Sequence, residues 1–191
     1  MNRYANWAFA LAVLPVAACA DNTPAPAPMA PPAPPPMAAA DASFVTSAAQ
    51  GGMTEIQEAQ LALSMAHSPK VKAYANRMVS DHTMADDQLK QIVTGKGATL
   101  PADVSDAQTQ EIAALKADTG RKFDRDYIAD QISGHQAMLT LFQTEASSGT
   151  DADVKKFAAD TLPTVQSHLD QAQKMVAHAQ KHMRMHHKSA S

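Results

Sequence analysis

Ser68-Pro69-Lys70-Val71-Lys72-Ala73-Tyr74-Ala75-Asn76-Arg77-Met78-Val79-Ser80-Asp81-His82 reads as the opening of a long amphipathic helix. Ser68 suits an N-cap, and Pro69 suits the first helical position, where a missing N–H breaks no bond. Val71, Tyr74 and Met78, continued by Leu89 and Ile92, recur at the spacing of one helical face. The pattern predicts a helix from Pro69 to about Thr94, stopped by Gly95 and Gly97.

Working outward, the same periodicity predicts three more long helices. The first runs from about Ala42 to Ala66, with Phe44, Ala48, Ala59, Leu63 and Ala66 facing inward. The third covers about Arg121 to Ser147, with Phe123, Tyr127, Ile132, Leu139 and Phe142 inward, and Gly149 ends it. The fourth starts near Asp151 and shows Val154, Phe157, Thr161, Val165, Leu169, Ala172 and Val176 at helical spacing. Between the second and third lies a long connection that contains Pro101 and a short helix from Ser105 to Lys116.

The connections after the first and third helices are very short, so each pair must form an antiparallel hairpin. Two hairpins joined by one long crossover are the connectivity of ferritin-like four-helix bundles, which fixes the expected all-α class. An internal echo agrees: Val71-Lys72-Ala73-Tyr74-Ala75 opens the second helix, and Val154-Lys155-Lys156-Phe157-Ala158 opens the fourth.

Ahead of the bundle the chain changes character twice. Arg3, an apolar stretch from Trp7 to Val16 and small residues before Cys19 make a secretory signal too short to span a bilayer, which takes about 20 apolar residues. Val16-Ala17-Ala18-Cys19 resembles the bacterial lipobox, which implies a lipidated Cys19 as the first mature residue, on the periplasmic side of the envelope. Ala20 after it is compatible with sorting to the outer membrane. From Asn22 to Ala40 the chain is mostly Pro, Ala and Met, an extended spacer rather than a core. The expected organisation is a signal over 1–18, a lipidated linker over 19–40, the bundle over 41–177 and a His/Met-rich tail over 178–191.

With one cysteine in the chain, taken up by the anchor, no disulfide supports the fold. A net charge of -3 without a basic stripe excludes nucleic acid as the expected partner. Phosphate loops, dinucleotide fingerprints and nucleophile elbows are all missing. Asp124, Asp126 and Asp130 read as the acidic first turns of the third helix, complementing its dipole.

Chemistry is left to the inward faces. His82, His135 and His168 fall on the apolar stripes of the second, third and fourth helices, and Glu55 with Glu58 borders that of the first. Glu55 and His82 come out at similar depth from their shared loop, roughly 18–21 Å at 1.5 Å per residue, whereas His168 lies about one turn further along than His135. Pro163 is expected to kink or loosen the last helix just before it. Imidazole and carboxylate suit Cu, Zn and Fe, so these five residues are a candidate core metal site. The bland reading is a polar layer in which Asp81, Asp130 or Glu145 hydrogen-bonds a core histidine. A ferritin-type di-iron centre fails a count, because none of the four glutamates is followed three residues later by histidine. A second candidate lies in the tail, where His178, His182, His186 and His187 interleave with Met183 and Met185, a mixture that points to copper.

Phe44-Val45 with Gly51-Gly52-Met53-x-Glu55, Arg77-Met78-Val79-x-Asp81-His82, Phe123-Asp124-x-x-Tyr127 with His135 and Leu141-Phe142, and Leu162-Pro163 with His168-Leu169 together resemble the bacterial family of domains of unknown function numbered 4142. The resemblance covers about Ala42 to Met175. It implies a ferritin-like fold and, from the label given to many members, an outer-membrane location, and it supplies no activity. The expected function is a non-enzymatic, metal-binding or stress-related envelope protein, held to the membrane through Cys19. A metal-dependent oxidoreductase and a purely structural or interaction module are the alternatives, and homodimerisation stays open.

Overall fold

The computed structural model describes residues 37–189, with side chains through residue 180. Five helices follow in order: α1 (Ala39–Met65), α2 (Pro69–Gly95), α3 (Asp106–Lys116), α4 (Gly120–Ser148) and α5 (Ala152–Ser189). Among the described residues there is no strand, and no helix is long and apolar enough to cross a membrane. The signal, Cys19 and nearly all of the proline spacer lie outside the described residues.

Helix ends follow local chemistry. Ser105 caps α3 with a reciprocal box: its hydroxyl accepts from Gln108 N–H at 3.3 Å, and Gln108 Oε1 accepts from Ser105 N–H at 2.9 Å. Beyond Gly95 the chain turns away at Gly97, whose φ of 71° is a left-handed conformation natural to glycine. α5 runs through Pro163 without interruption as far as Ser189, so the expected loosening at that proline does not break the helix.

The connection at 66–68 departs from the expected cap. Ser68 takes the N-cap position of α2, but its side chain bonds no backbone N–H. The connection is tied from α4 at other donors: Asp124 Oδ1 receives His67 N–H and Oδ2 receives Ser68 N–H, both at 2.8 Å. Asp124 is therefore a tie between helices rather than a first-turn complement to a dipole. The connection at 149–151 is tied in the same way from α1. Asp41 accepts from Thr150 N–H at 3.0 Å, Thr150 Oγ1–H at 2.6 Å and Asp151 N–H at 2.9 Å. Burial works against the Asp41 charge, but these donors outweigh it and hold the carboxyl below the ordinary aspartate range. One constant spacing along the chain relates Asp41 to Asp124, Pro69 to Ala152 and Val71 to Val154, so the sequence echo extends to whole helix pairs.

α1 packs on α2 and α4, α4 on α5, and α2 on α5, while α3 lies across α1 and α4 with Leu115 as its buried anchor. The core is two apolar clusters. One holds Phe44, Leu89, Val93, Phe142 and Phe157, with the Phe44 and Phe142 rings edge-on at 5.0 Å. The other holds Ala59, Ala62, Tyr74, Met78, Phe123 and Tyr127, with the tyrosine rings 6.2 Å apart. Along each long helix the stretch between the clusters carries buried polar residues: Glu55 and Glu58, His82, Gln131 with His135, and His168.

Asp124→Ala is expected to lower stability by about 1–2 kcal/mol in urea unfolding, since it strips two backbone donors of their acceptor. Ser68→Ala is expected to change it by no more than a few tenths.

Candidate metal centre

His82 of α2, His135 of α4 and His168 of α5 meet in this polar layer, 6%, 0% and 1% exposed. One ring nitrogen from each lies within 4.8 Å of one from both others. The ring centroids stand 5.6, 5.4 and 5.2 Å apart. The one-turn mismatch between His135 and His168 closes because helical side chains lean toward their own N terminus. Both helices meet at residues 149–151, so His135 leans away from that connection and His168 toward it.

The partners of the rings decide where the protons sit. His135 Nδ1 is 2.8 Å from the carbonyl oxygen of Gln131, which can only accept, so Nδ1 carries the hydrogen and Nε2 the lone pair. His168 Nε2 is 2.8 Å from Asp81 Oδ2 and donates to it, which leaves the lone pair on Nδ1. These two lone-pair nitrogens, His135 Nε2 and His168 Nδ1, face each other at 3.2 Å. His82 Nε2 is also buried and has no hydrogen-bond partner. A proton could relieve the clash, but burial disfavours it: it pushes His82 down to about 3, helped by the neighbouring rings, and His135 down to about 4. Burial also lowers His168, against the pull of Asp81. At neutral pH the layer thus offers three uncharged imidazoles, two of them with lone pairs aimed at one another, the arrangement a bound cation satisfies.

Asp81 is the anchor of this arrangement. Burial raises its carboxyl, yet the bonds from His168 and Arg77 outweigh that and keep it low and ionised. Arg77 reaches Asp81 at 3.2 Å, Gln171 Oε1 at 3.0 Å and Ser167 Oγ at 3.1 Å, locking α2 to α5 beside His168. A cleft of about 230 Å³ between these helices reaches His82 and His168, with Asp81, Met84 and Asp160 among its lining. Of the three carboxylates expected as histidine neighbours, Asp81 alone has that role. Asp130 is exposed, and Glu145 sits beside Asp41, where burial and the Asp41 charge push it up to about 7.

Glu55 and Glu58 are in the layer but stand apart from the lone pairs. Gln131 Nε2 donates to Glu55 Oε2 and, at 3.1 Å, to Glu58 Oε2. Glu55 Oε1 approaches His135 from the Nδ1 side, at 3.5 Å. Burial and the Glu58 charge lift Glu55 well above the ordinary range, while burial and Asp130 lift Glu58 to about 7. Both line a chamber of about 520 Å³ on the α3 side, along with Glu111 and Asp130. Gln131, which joins them, was legible only as a residue four before His135 on the same stripe. His178 is exposed on α5. The side chains of His182, Met183, Met185, His186 and His187 lie outside the described residues.

The family model described as "Domain of unknown function (DUF4142)" matches residues 26–175. No curated protein matches the chain. Among solved structures, a DUF305 fragment from Deinococcus radiodurans superposes with a TM-score of 0.67 at 14% identity, covering 75% of this chain and 99% of that one. CopM in the Cu(I)-bound form gives 0.61 at 19%, covering 72% and 96%, and in the Ag-bound form obtained by co-crystallization 0.60 at 19%, with the same coverage. At these identities the likeness is one of fold.

Because Glu58 is raised from 4.5 to about 7, the folded chain keeps a proton that the unfolded chain has released, and stability falls as pH rises across that window. Glu58→Gln, which can still accept from Gln131, is expected to stabilise the metal-free chain by about 1–3 kcal/mol above neutral pH. At pH 4 the gain should vanish, as urea unfolding at the two pH values will show.

Proposed function

The chain belongs to the DUF4142 family, a domain of unknown function, and from its buried histidines we propose that it binds a copper ion through His82, His135 and His168. The observation that carries the reading is the 3.2 Å approach of His135 Nε2 and His168 Nδ1, each left as a lone pair by the proton on its opposite nitrogen. Gln131 carbonyl and Asp81 would act as the partners that orient ligands and raise their basicity. Three imidazoles accept Cu, Zn or Fe. Copper ranks first because CopM, which shares the fold, is described with Cu(I), Cu(II) and Ag bound. The bound ion would supply Lewis acidity and, for copper, one-electron chemistry. The surrounding apolar clusters favour storage or transfer of the ion over turnover, so we read the protein as a binder rather than an enzyme. Glu55 and Glu58 belong to the outer part of this site, and the His/Met tail over 178–191 is a second, weaker place for the same metal.

The finer architecture belongs to the same reading. The pairs α1–α2 and α4–α5 are two antiparallel hairpins of a ferritin-like bundle over 41–177, joined by a crossover that contains α3. Support comes from the shared clusters: the start of α1 meets the end of α2, the start of α4 shares a cluster with Ala172 far along α5, and Phe142 late in α4 shares one with Val154 at the start of α5. Cys19 behind its signal sequence supports a lipid anchor, with the 19–40 linker holding the bundle off the outer membrane on its periplasmic side.

Metal analysis of the untagged full chain, purified without added metal, is expected to find about one copper per chain bound by imidazole. The variant carrying His82→Ala, His135→Ala and His168→Ala should lose it, while substitution of His178, His182, His186 and His187 by alanine should not. Copper retained in full by the core variant refutes the site. Separately, Cys19→Ala is expected to move the protein from the membrane fraction to the soluble one, because the acyl chains supply the anchoring.

A further inference from the structure

His135 and His168 each have an acceptor that fixes their proton, Gln131 carbonyl for one and Asp81 for the other. His82 makes no hydrogen bond of its own, its Nε2 is buried, and one of its ring nitrogens lies within 4.8 Å of a ring nitrogen of each of the other two histidines. For Nε2 to face the other rings as a lone pair, the hydrogen must sit on Nδ1, and that N–H needs an acceptor.

Asp86 lies one turn further along α2, on the same face as His82. It is half-buried and makes no hydrogen bond or ion pair, an unusual position for a carboxylate inside a bundle. It is admitted there by Gly52 of α1, where an added Cβ would collide with Asp86 Oδ1. His82 and Asp86 line one cavity of about 20 Å³. Thr161 is the other residue with a polar side chain on its walls, and its hydroxyl already donates to Phe157 carbonyl at 2.7 Å, leaving its oxygen free to accept. Such a volume holds one water, which needs two to four polar partners.

We infer that a single buried water accepts from His82 Nδ1–H and donates to Asp86 and Thr161, which makes Asp86 the residue that positions His82 as a metal ligand. Every proton in that arrangement has an acceptor, and each of the three histidines then has one partner that turns its lone pair inward. Asp86 touches no metal itself and acts through the ring it orients. The inference rests on the reading of the triad as a metal centre.

Two measurements on the full chain separate the inference from that reading. In the metal-free protein, long-range ¹H–¹⁵N spectra of the His82 ring are expected to show the Nδ1–H tautomer in the parent and a mixture in Asp86→Ala. Asp86→Asn keeps an oxygen acceptor and should keep the parent tautomer. Competition with a Cu(I) chelator is expected to show about 10–100-fold weaker binding in Asp86→Ala, as for loss of other orienting partners. Gly52→Ala, which pushes an intact Asp86 carboxylate out of place, should weaken binding in the same sense. A tautomer unchanged in Asp86→Ala, as when solvent from the neighbouring cleft satisfies His82, overturns the inference, and so does a Cu(I) affinity unchanged in both Asp86→Ala and Gly52→Ala. A parent chain that binds no copper removes the metal reading instead, while the ring spectra still decide whether Asp86 orients His82.

Discussion

A polar layer buried between two apolar clusters has to satisfy itself almost entirely, because the hydroxyl of Tyr74, which donates to the His168 carbonyl at 3.4 Å, is the one bond a cluster side chain lends it among the described residues. That requirement organises the centre of this protein. Gln131 spends its amide on two glutamates and its carbonyl on His135, and Asp81 is shared by His168 and Arg77. After these pairings are made, Gln131 Oε1 is left without a partner, and so are ring nitrogens: His135 Nε2 and His168 Nδ1, which face each other as lone pairs, and the buried Nε2 of His82. The same burial that leaves them without donors also strips them of protons. A layer that would be a liability in a purely structural bundle is thereby a set of ready, uncharged ligands.

Charge is arranged to match. The single strongly ionised group touching the triad is Asp81, held low by Arg77 and His168, whereas the glutamates across the layer are driven toward their neutral forms. A cation entering the triad would meet one fixed negative charge and a set of dipoles rather than a nest of carboxylates. This is unlike the carboxylate-rich centres of di-iron helical bundles, and it agrees with the absence of any Glu-x-x-His in the sequence.

Helices and their inward stripes were legible because 3.6-residue periodicity is a local property: Val71, Tyr74, Met78 and His82 are buried as their spacing requires. What sequence could not supply was direction around each axis and the partners reached across space. Glu55 was placed at the depth of His82, and depth was right, yet it approaches His135 from the side already occupied by a proton. The expected cap by the Ser68 side chain is not made, and the connection is held instead through His67 and Ser68 N–H by Asp124, an acceptor distant in the chain. Heights counted from the connections missed the lean of the rings, which brings His135 and His168 together. Asp86 and Gly52 carry no local signal at all, since their relation exists only once α1 and α2 are packed.

The constant spacing that links Asp41 to Asp124 and Val71 to Val154 also pairs His82 with Val165, His135 with Gly52 and His168 with Ala85. Those three small or apolar counterparts all line the 20 Å³ cavity beside His82. The triad thus has a shadow: the place where a twin centre would stand in the other repeat is filled by packing, with just enough space left for Asp86. Where the constant spacing relates two positions of the central layer, one carries a histidine and the other a residue small or apolar enough to leave room beside it, and at Gly52 that room is what admits Asp86.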